Sequence, residues 1–93
     1  MELQEGLRLL EEALQDCRLA NLKRSGFGNK RIPKSIEDEV ERELNSIYIR
    51  VEGIMKTCPQ IETYIDHNNI HFSRVFWETD LPSLIDAIKA DIK

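Results

Sequence analysis

Two stretches of the chain decide its fold: residues 3–22 read LQEGLRLLEEALQDCRLANL, and residues 40–58 read VERELNSIYIRVEGIMKTC. In both, apolar residues recur at alternating spacings of four and three, which is typical of long helices packed lengthwise against a neighbour. These positions are Leu3, Leu7, Leu10, Leu14 and Cys17 in the first stretch and Val40, Leu44, Ile47, Val51, Ile54 and Cys58 in the second. The pattern predicts an all-α protein, a helical bundle built on a long helical hairpin with shorter C-terminal helices.

The residues between and after these stretches predict the helix ends. The first helix should run from about Glu2 to about Lys23 and break at the glycines of residues 25–29, since glycine after a basic last turn commonly stops a helix. The second should take Ser35 as its N-cap and run to about Thr57, because the residue before Pro59 avoids helical geometry.

The last third of the chain predicts shorter elements. Residues 61–65 fit a short helix, residues 66–69 look like a turn, and residues 70–77 fit either a strand or a helix, of which the spacing favours the helix. A final helix should begin with Asp80 as its cap and Pro82 in its first turn. We expect one helical domain over residues 1–93.

Composition narrows the class of protein. The 93 residues are 41% hydrophobic and 32% charged with a net charge of −4, and no apolar run approaches the roughly 18 residues needed to span a bilayer. The first residues are acidic and amphipathic, whereas a secretory signal starts with basic residues and continues with an apolar run. We expect a cytoplasmic protein.

The length of the first helix suggests self-association. Its apolar positions form a face about 160° wide and about 33 Å long. The short segments after Pro59 can hardly cover both this broad face and the full length of the two long helices. We therefore expect a homodimer in which two hairpins form a four-helix bundle with coiled-coil-like packing, in parallel or antiparallel orientation. The expected partner-binding residues are Leu3, Leu7, Leu10, Leu14, Phe76 and Trp77. The alternative is a monomer whose C-terminal third folds back as a lid.

Charge is segregated along the chain. Five basic residues and no acidic ones fall between positions 23 and 34, while the other 8 basic residues share the rest of the chain with all 17 acidic ones. The basic residues are Lys23, Arg24, Lys30, Arg31 and Lys34. They are candidates for binding an anion or a nucleic acid strand, although a solvated turn that balances the acidic start of the second helix explains them better.

No catalytic set is predicted. His67 and His71 could present two imidazoles to a metal ion if their segment were helical, but the pair Asn68 and Asn69 argues against a continuous helix there. Cys17 and Cys58 fall on the apolar stripes and should be buried free thiols, which are inert. The sequence therefore predicts neither a metal site nor a cofactor.

The order of features resembles the HEPN-like helical domains of bacterial toxin–antitoxin systems. The resemblance lies in two long helices followed by residues 77–85, WETDLPSLI, and in the pattern Val40-x-Arg42-x-Leu44-x-x-Ile47. It implies a dimeric helical bundle and, in many members, an RNase that uses an Arg followed four to six residues later by a His. No Arg stands at that distance ahead of His67 or His71, which implies a catalytically degraded or binding-only relative.

Three hypotheses for function follow. The first is a cytoplasmic, non-catalytic protein that acts through association, as a homodimeric adaptor, inhibitor or antitoxin-like module. The second is a HEPN-like RNase or nucleotide-binding enzyme that uses His67 or His71. The third is nucleic-acid binding through the basic residues between positions 23 and 34.

Overall fold

The fold is an all-α bundle, as the apolar spacing predicts. A computed structural model describes residues 1–28, 30–70 and 78–92. In order, the helices are α1 (Leu3–Ser25), α2 (Lys34–Thr57), α3 (Gln60–His67) and α4 (Asp80–Ile92). The long helices α1 and α2 form the predicted hairpin, and α3 and α4 are the shorter C-terminal helices. The segment 70–77, for which the sequence allows a strand or a helix and favours the helix, lies outside the described residues except for Ile70.

Three predicted helix boundaries need correction: the start of α2, the end of α3 and the start of α4. The N-cap of α2 is Pro33, with φ −57° and ψ 143°, so the prediction that Ser35 caps this helix is wrong. The Pro33 carbonyl accepts hydrogen bonds from the amides of Ile36 and Glu37, at 3.1 Å each, and Ser35 lies inside the first turn. The end of α2 at Thr57, before Cys58 and Pro59, is confirmed.

The turn after α3 starts later than predicted. Asp66 and His67 are helical, and the chain turns at Asn68 and Asn69. The Asn68 side-chain amide donates to the Tyr64 carbonyl at 2.8 Å, and Asn69 takes φ 51°, the left-handed region that asparagine tolerates. Similarly, Asp80 is the first residue of α4 rather than its cap.

The core lies where α3 and α4 pack against the hairpin. Helix α1 contacts α2, α3 and α4, and α4 also contacts α3, so the broad apolar face of α1 packs on more than one helix. The largest side chains without exposure are Leu10, Ile61, Leu81, Leu84, Ile88, Val40, Val51, Cys17 and Cys58. Burial of such side chains supplies most of the driving force for folding.

One glycine sets how closely the elements approach. A Cβ atom added at Gly6 would lie 3.2 Å from Cys58 Sγ and 3.2 Å from Ile61 Cδ1. The start of α1 therefore fits against the α2–α3 junction because position 6 carries no side chain.

The hairpin gives the molecule an elongated outline of 42 × 21 × 20 Å. Among the residues that the structure describes, no helix combines the length and the apolar character needed to cross a membrane.

Candidate functional site: the open face of the hairpin

One long side of the hairpin is left uncovered by α3 and α4, and we call it the open face. It consists of Glu5, Arg8, Glu12, Asp16, Leu19 and Lys23 from α1 and Glu39, Glu43, Ser46, Arg50 and Gly53 from α2. At about 100° per residue the α1 members share one flank of their helix. Leu14 and Arg18, on the other flank, line a crevice with Pro82 and Ile85 of α4.

Ion pairs fasten α1 to α2 across the open face. Arg50 Nη2 donates to Asp16 Oδ2 at 2.8 Å. Lys23 Nζ donates to Glu43 Oε1 at 2.6 Å and to Glu39 Oε1 at 3.1 Å. These hydrogen bonds, first that to Glu43 and then that to Glu39, raise the pKa of Lys23 above its ordinary value. The side chains keep 39 to 47% exposure, so they are paired within the chain yet remain accessible.

Between the two sets of ion pairs lies a shallow groove of about 400 Å³. Its centre is formed by Leu19, Ala20, Ser46 and Ile47. Leu19 is 51% exposed, while Ala20 and Ile47 are buried. The open face thus has a small, partly apolar centre with charged residues on both sides.

Further along α2, Gly53 leaves the open face flat. It is exposed, and a Cβ atom added there would meet nothing within 4 Å. Glycine in a helix interior is less favourable than alanine by about 0.5–1 kcal/mol. The folding of the described chain gives no reason for a glycine at this position.

The predicted anion-binding residues divide into two groups. Lys23 joins Glu39 and Glu43, and Arg24 Nε lies 3.3 Å from Glu37 Oε1, an ion pair without hydrogen-bond geometry. The other three, which we call the basic tip, are Lys30, Arg31 and Lys34. They are exposed, and within the described ranges none of them forms an ion pair. Two of the five cations therefore hold the hairpin together.

The predicted partner-binding leucines lie mostly inside the chain. Leu10 is fully buried and Leu14 is 8% exposed, so the prediction that these two form a contact surface is corrected: both already belong to the core of this chain. Leu3 and Leu7 are partly buried and pack against the same core. Phe76 and Trp77 lie outside the described residues.

A second concave region lies at the other end of the molecule, between the start of α1, α3 and α4. This terminal groove, about 980 Å³, includes Leu3, Tyr64, His67, Ala90 and Asp91 in its lining. A hydrogen bond to Asp91 raises the pKa of Tyr64, and burial raises it further. The described lining carries the carboxylates of Glu2 and Asp91 and no Lys or Arg, so it does not favour a phosphate ligand.

Neither histidines nor cysteines assemble a reactive centre in the described residues. No group of three or more His, Cys, Asp or Glu side chains with metal-binding geometry occurs there, and His71 falls outside them. Cys17 and Cys58 are buried free thiols, as predicted. Burial raises the pKa of Cys17 to about 11, which keeps it protonated and unreactive at neutral pH.

No known protein family, no curated protein and no solved structure matches this chain.

Sequence reasoning did not find the open face, because it followed the apolar stripe. A charge pattern was available beside that stripe: Asp16 and Lys23 are seven residues apart on α1, and Glu43 and Arg50 are seven apart on α2. Opposite charges at heptad spacing on one flank of a helix are typical of residues that bridge to a neighbouring helix.

Proposed function

We propose that this chain is a non-catalytic association module that works as a homodimer, in the role of an adaptor, inhibitor or antitoxin-like partner of another protein. The observation that carries the proposal is that α3 and α4 cover one side of the hairpin and leave the open face accessible along both long helices. A helical hairpin with one free side completes its bundle by packing that side on a second hairpin.

The charges of the open face support a protein partner rather than a nucleic acid. Its acidic members are Glu5, Glu12, Asp16, Glu39 and Glu43, against the cations Arg8, Lys23 and Arg50. Affinity for nucleic acid depends on cations that neutralise its phosphates. The excess of acidic residues on the open face would repel phosphates. A cytoplasmic location is part of this proposal.

Light scattering over a concentration series tests self-association. We expect the mass of the purified chain to rise from 10.9 kDa towards twice that value as concentration increases. A mass that stays at 10.9 kDa over the whole series would contradict the homodimer.

The enzyme hypothesis is tested through the two histidines. We expect the purified chain not to cleave RNA, and the variant His67→Ala/His71→Ala to retain the biological activity of the wild type. RNA cleavage that the double variant loses would overturn the non-catalytic proposal and favour a HEPN-like RNase.

Nucleic-acid binding through the basic tip is tested in the same way. If the tip were the functional site, affinity for single-stranded RNA would fall steeply with salt, by roughly 0.7 log units per log unit of salt for each phosphate contact. It would also disappear in the variant Lys30→Gln/Arg31→Gln/Lys34→Gln. We expect no such binding at physiological salt.

A further inference from the structure

We propose that the open face is the homodimer interface and that the two hairpins pack antiparallel, with a two-fold axis passing by Leu19 and Ser46. This inference rests on the proposed self-association and adds the surface and the orientation. It follows from the arrangement of charge and shape on that face.

The first argument is the symmetry of the ion pairs. Asp16 and Lys23 on α1 lie at nearly equal distances from Leu19, and Glu43 and Arg50 on α2 lie at nearly equal distances from Ser46. Leu19 and Ser46 line the same groove, so this groove is the common centre of both helices. Along each helix, an acidic residue lies on one side of the groove and a basic residue on the other.

A two-fold axis at this centre matches the charges of two copies. In an antiparallel face-to-face pair, α1 lies over α1 of the other copy and α2 over α2. Lys23 of one copy then faces Asp16 of the other, and Arg50 faces Glu43. Each charge meets its opposite, which is the self-complementarity that a two-fold interface requires.

A parallel pair also matches these charges, since it would place Lys23 over Glu43 of the other copy. However, it brings the two basic tips side by side, with Lys30, Arg31 and Lys34 of one copy against the same three cations. The antiparallel pair instead carries each basic tip towards the start of the partner's α1, where exposed Glu5 and Glu12 pair with Arg8 and leave a net charge of −1. Like-charge repulsion therefore selects the antiparallel orientation.

Shape and area agree with a second copy as the occupant. Gly53 and Ser46 carry no large side chain on the α2 part of the open face, so α2 of one copy can approach α2 of the other closely there. About an axis at Leu19 and Ser46, residues 13–25 of α1 and 35–57 of α2 lie over their copies. These are about 20 Å and about 35 Å of helix, each about 10 Å wide, and they offer about 550 Å² per copy, which for the two copies together exceeds the roughly 1,000 Å² in total that a specific interface needs.

The first test uses two leucines of similar exposure. Leu19→Lys places two cations at the axis, whereas Leu22→Lys changes a residue that is 61% exposed and lies about 60° from Leu19 round α1, on the side away from α2. We expect Leu19→Lys to raise the dimer dissociation constant by about tenfold or more and Leu22→Lys to leave it unchanged, with circular dichroism showing that both fold.

The possible outcomes test the location of the interface and the proposed self-association separately. A wild-type dimer that Leu19→Lys does not weaken, or that Leu22→Lys weakens equally, would overturn the open face as the interface while leaving self-association intact. A wild-type chain that stays at 10.9 kDa would overturn both.

The second test decides the orientation by charge exchange. Asp16→Lys and Lys23→Glu should each weaken the dimer, because each sets like charges opposite one another. In the antiparallel pair the combination Asp16→Lys/Lys23→Glu restores the match between copies, although it reverses the pairs with Arg50 and Glu43 within each chain. With circular dichroism showing that the hairpin still folds, its dissociation constant should fall below those of the single variants. A double variant weaker than both single variants would overturn the antiparallel register.

Discussion

The two halves of the hairpin are held together by different interactions. In the base half, α3 and α4 pack on the long helices, and Leu10, Cys58, Ile61, Leu84 and Ile88 have little or no exposure. In the tip half, between positions 19 and 44, the buried residues among those described are Ala20 and Val40. The contrast shows that the C-terminal helices supply a core over only part of the hairpin's length.

In the tip half, ion pairs replace packing. Lys23 joins Glu39 and Glu43, and Arg24 lies against Glu37, all with partly exposed side chains. Exposed ion pairs contribute about 0–1 kcal/mol each, whereas burying one large aliphatic side chain contributes about 1.5–3 kcal/mol. The base half should therefore carry most of the stability, and the tip half mainly sets the register of the two helices.

The largest expected effect is a cavity in the base half. Leu84→Ala should lower the free energy of unfolding by about 2–5 kcal/mol, because it removes a fully buried side chain. Urea titration followed by circular dichroism measures this change. Leu22→Ala, at an exposed site, is the control and should stay within about 0.5 kcal/mol of the wild type. Equal losses in the two variants would contradict the division into halves.

The next effect comes from closing the space at Gly6. Gly6→Leu should lower the free energy of unfolding by about 1–3 kcal/mol, since its side chain would collide with Cys58 and Ile61. The matched change at an open site, Gly53→Ala, should raise it by about 0.5–1 kcal/mol through helix propensity. Thermal and urea unfolding of both variants test the pair, and a loss at position 53 as large as that at position 6 would refute the argument.

Alkaline pH should weaken the packed core through Cys17. The pKa of its thiol rises from 9.0 in the unfolded chain to about 11 in the fold, so the protonated form is the one that the fold favours. This contribution is complete below pH 9 and is lost as pH approaches 11. The raised pKa values of Tyr64 and Lys23 act with the same sign, beginning above their ordinary values of 10.0 and 10.5, so they contribute to the decline that remains in a Cys17 variant. Unfolding measured at pH 9 and pH 11 should show a smaller decline in Cys17→Ala; an equal decline would exclude Cys17 as the cause.

The smallest expected effect lies in the tip half. Lys23→Met should change the free energy of unfolding by at most about 1 kcal/mol but should speed amide hydrogen exchange in the last turns of α1 and the first turns of α2. Exchange in α4 should be unaffected and serves as the internal control. Faster exchange in α4, or a loss of several kcal/mol, would show that Lys23 supports the core as well.

The sequence predicted the fold class and most of the element ends. The spacing of Leu10, Cys17, Val51 and Cys58 indicated a hairpin because a stripe of that period has one stable solution, burial against another helix. Pro59 indicated the end of α2 because its ring is incompatible with a continuing helix. The N-cap of α2 was missed, since both Pro33 and Ser35 suit the start of a helix and local chemistry does not decide between them.

The candidate site was harder to predict. The apolar stripe placed Leu10 and Leu14 on a contact face, but it did not say whether α4 or a second copy fills that face. Apolar periodicity predicts that a side chain is buried, but it does not predict which element buries it.

By itself the sequence determined that this protein is a helical hairpin with shorter helices behind it, and that its cysteines are buried thiols, because apolar period, proline and glycine act over a few neighbouring residues. Only the tertiary structure decided that α3 and α4 occupy one flank of α1, that Lys23 and Arg24 pair with acids of α2, and that the open face carries Asp16, Leu19 and Arg50. Those outcomes depend on how distant segments meet in space, and a linear pattern does not contain that information.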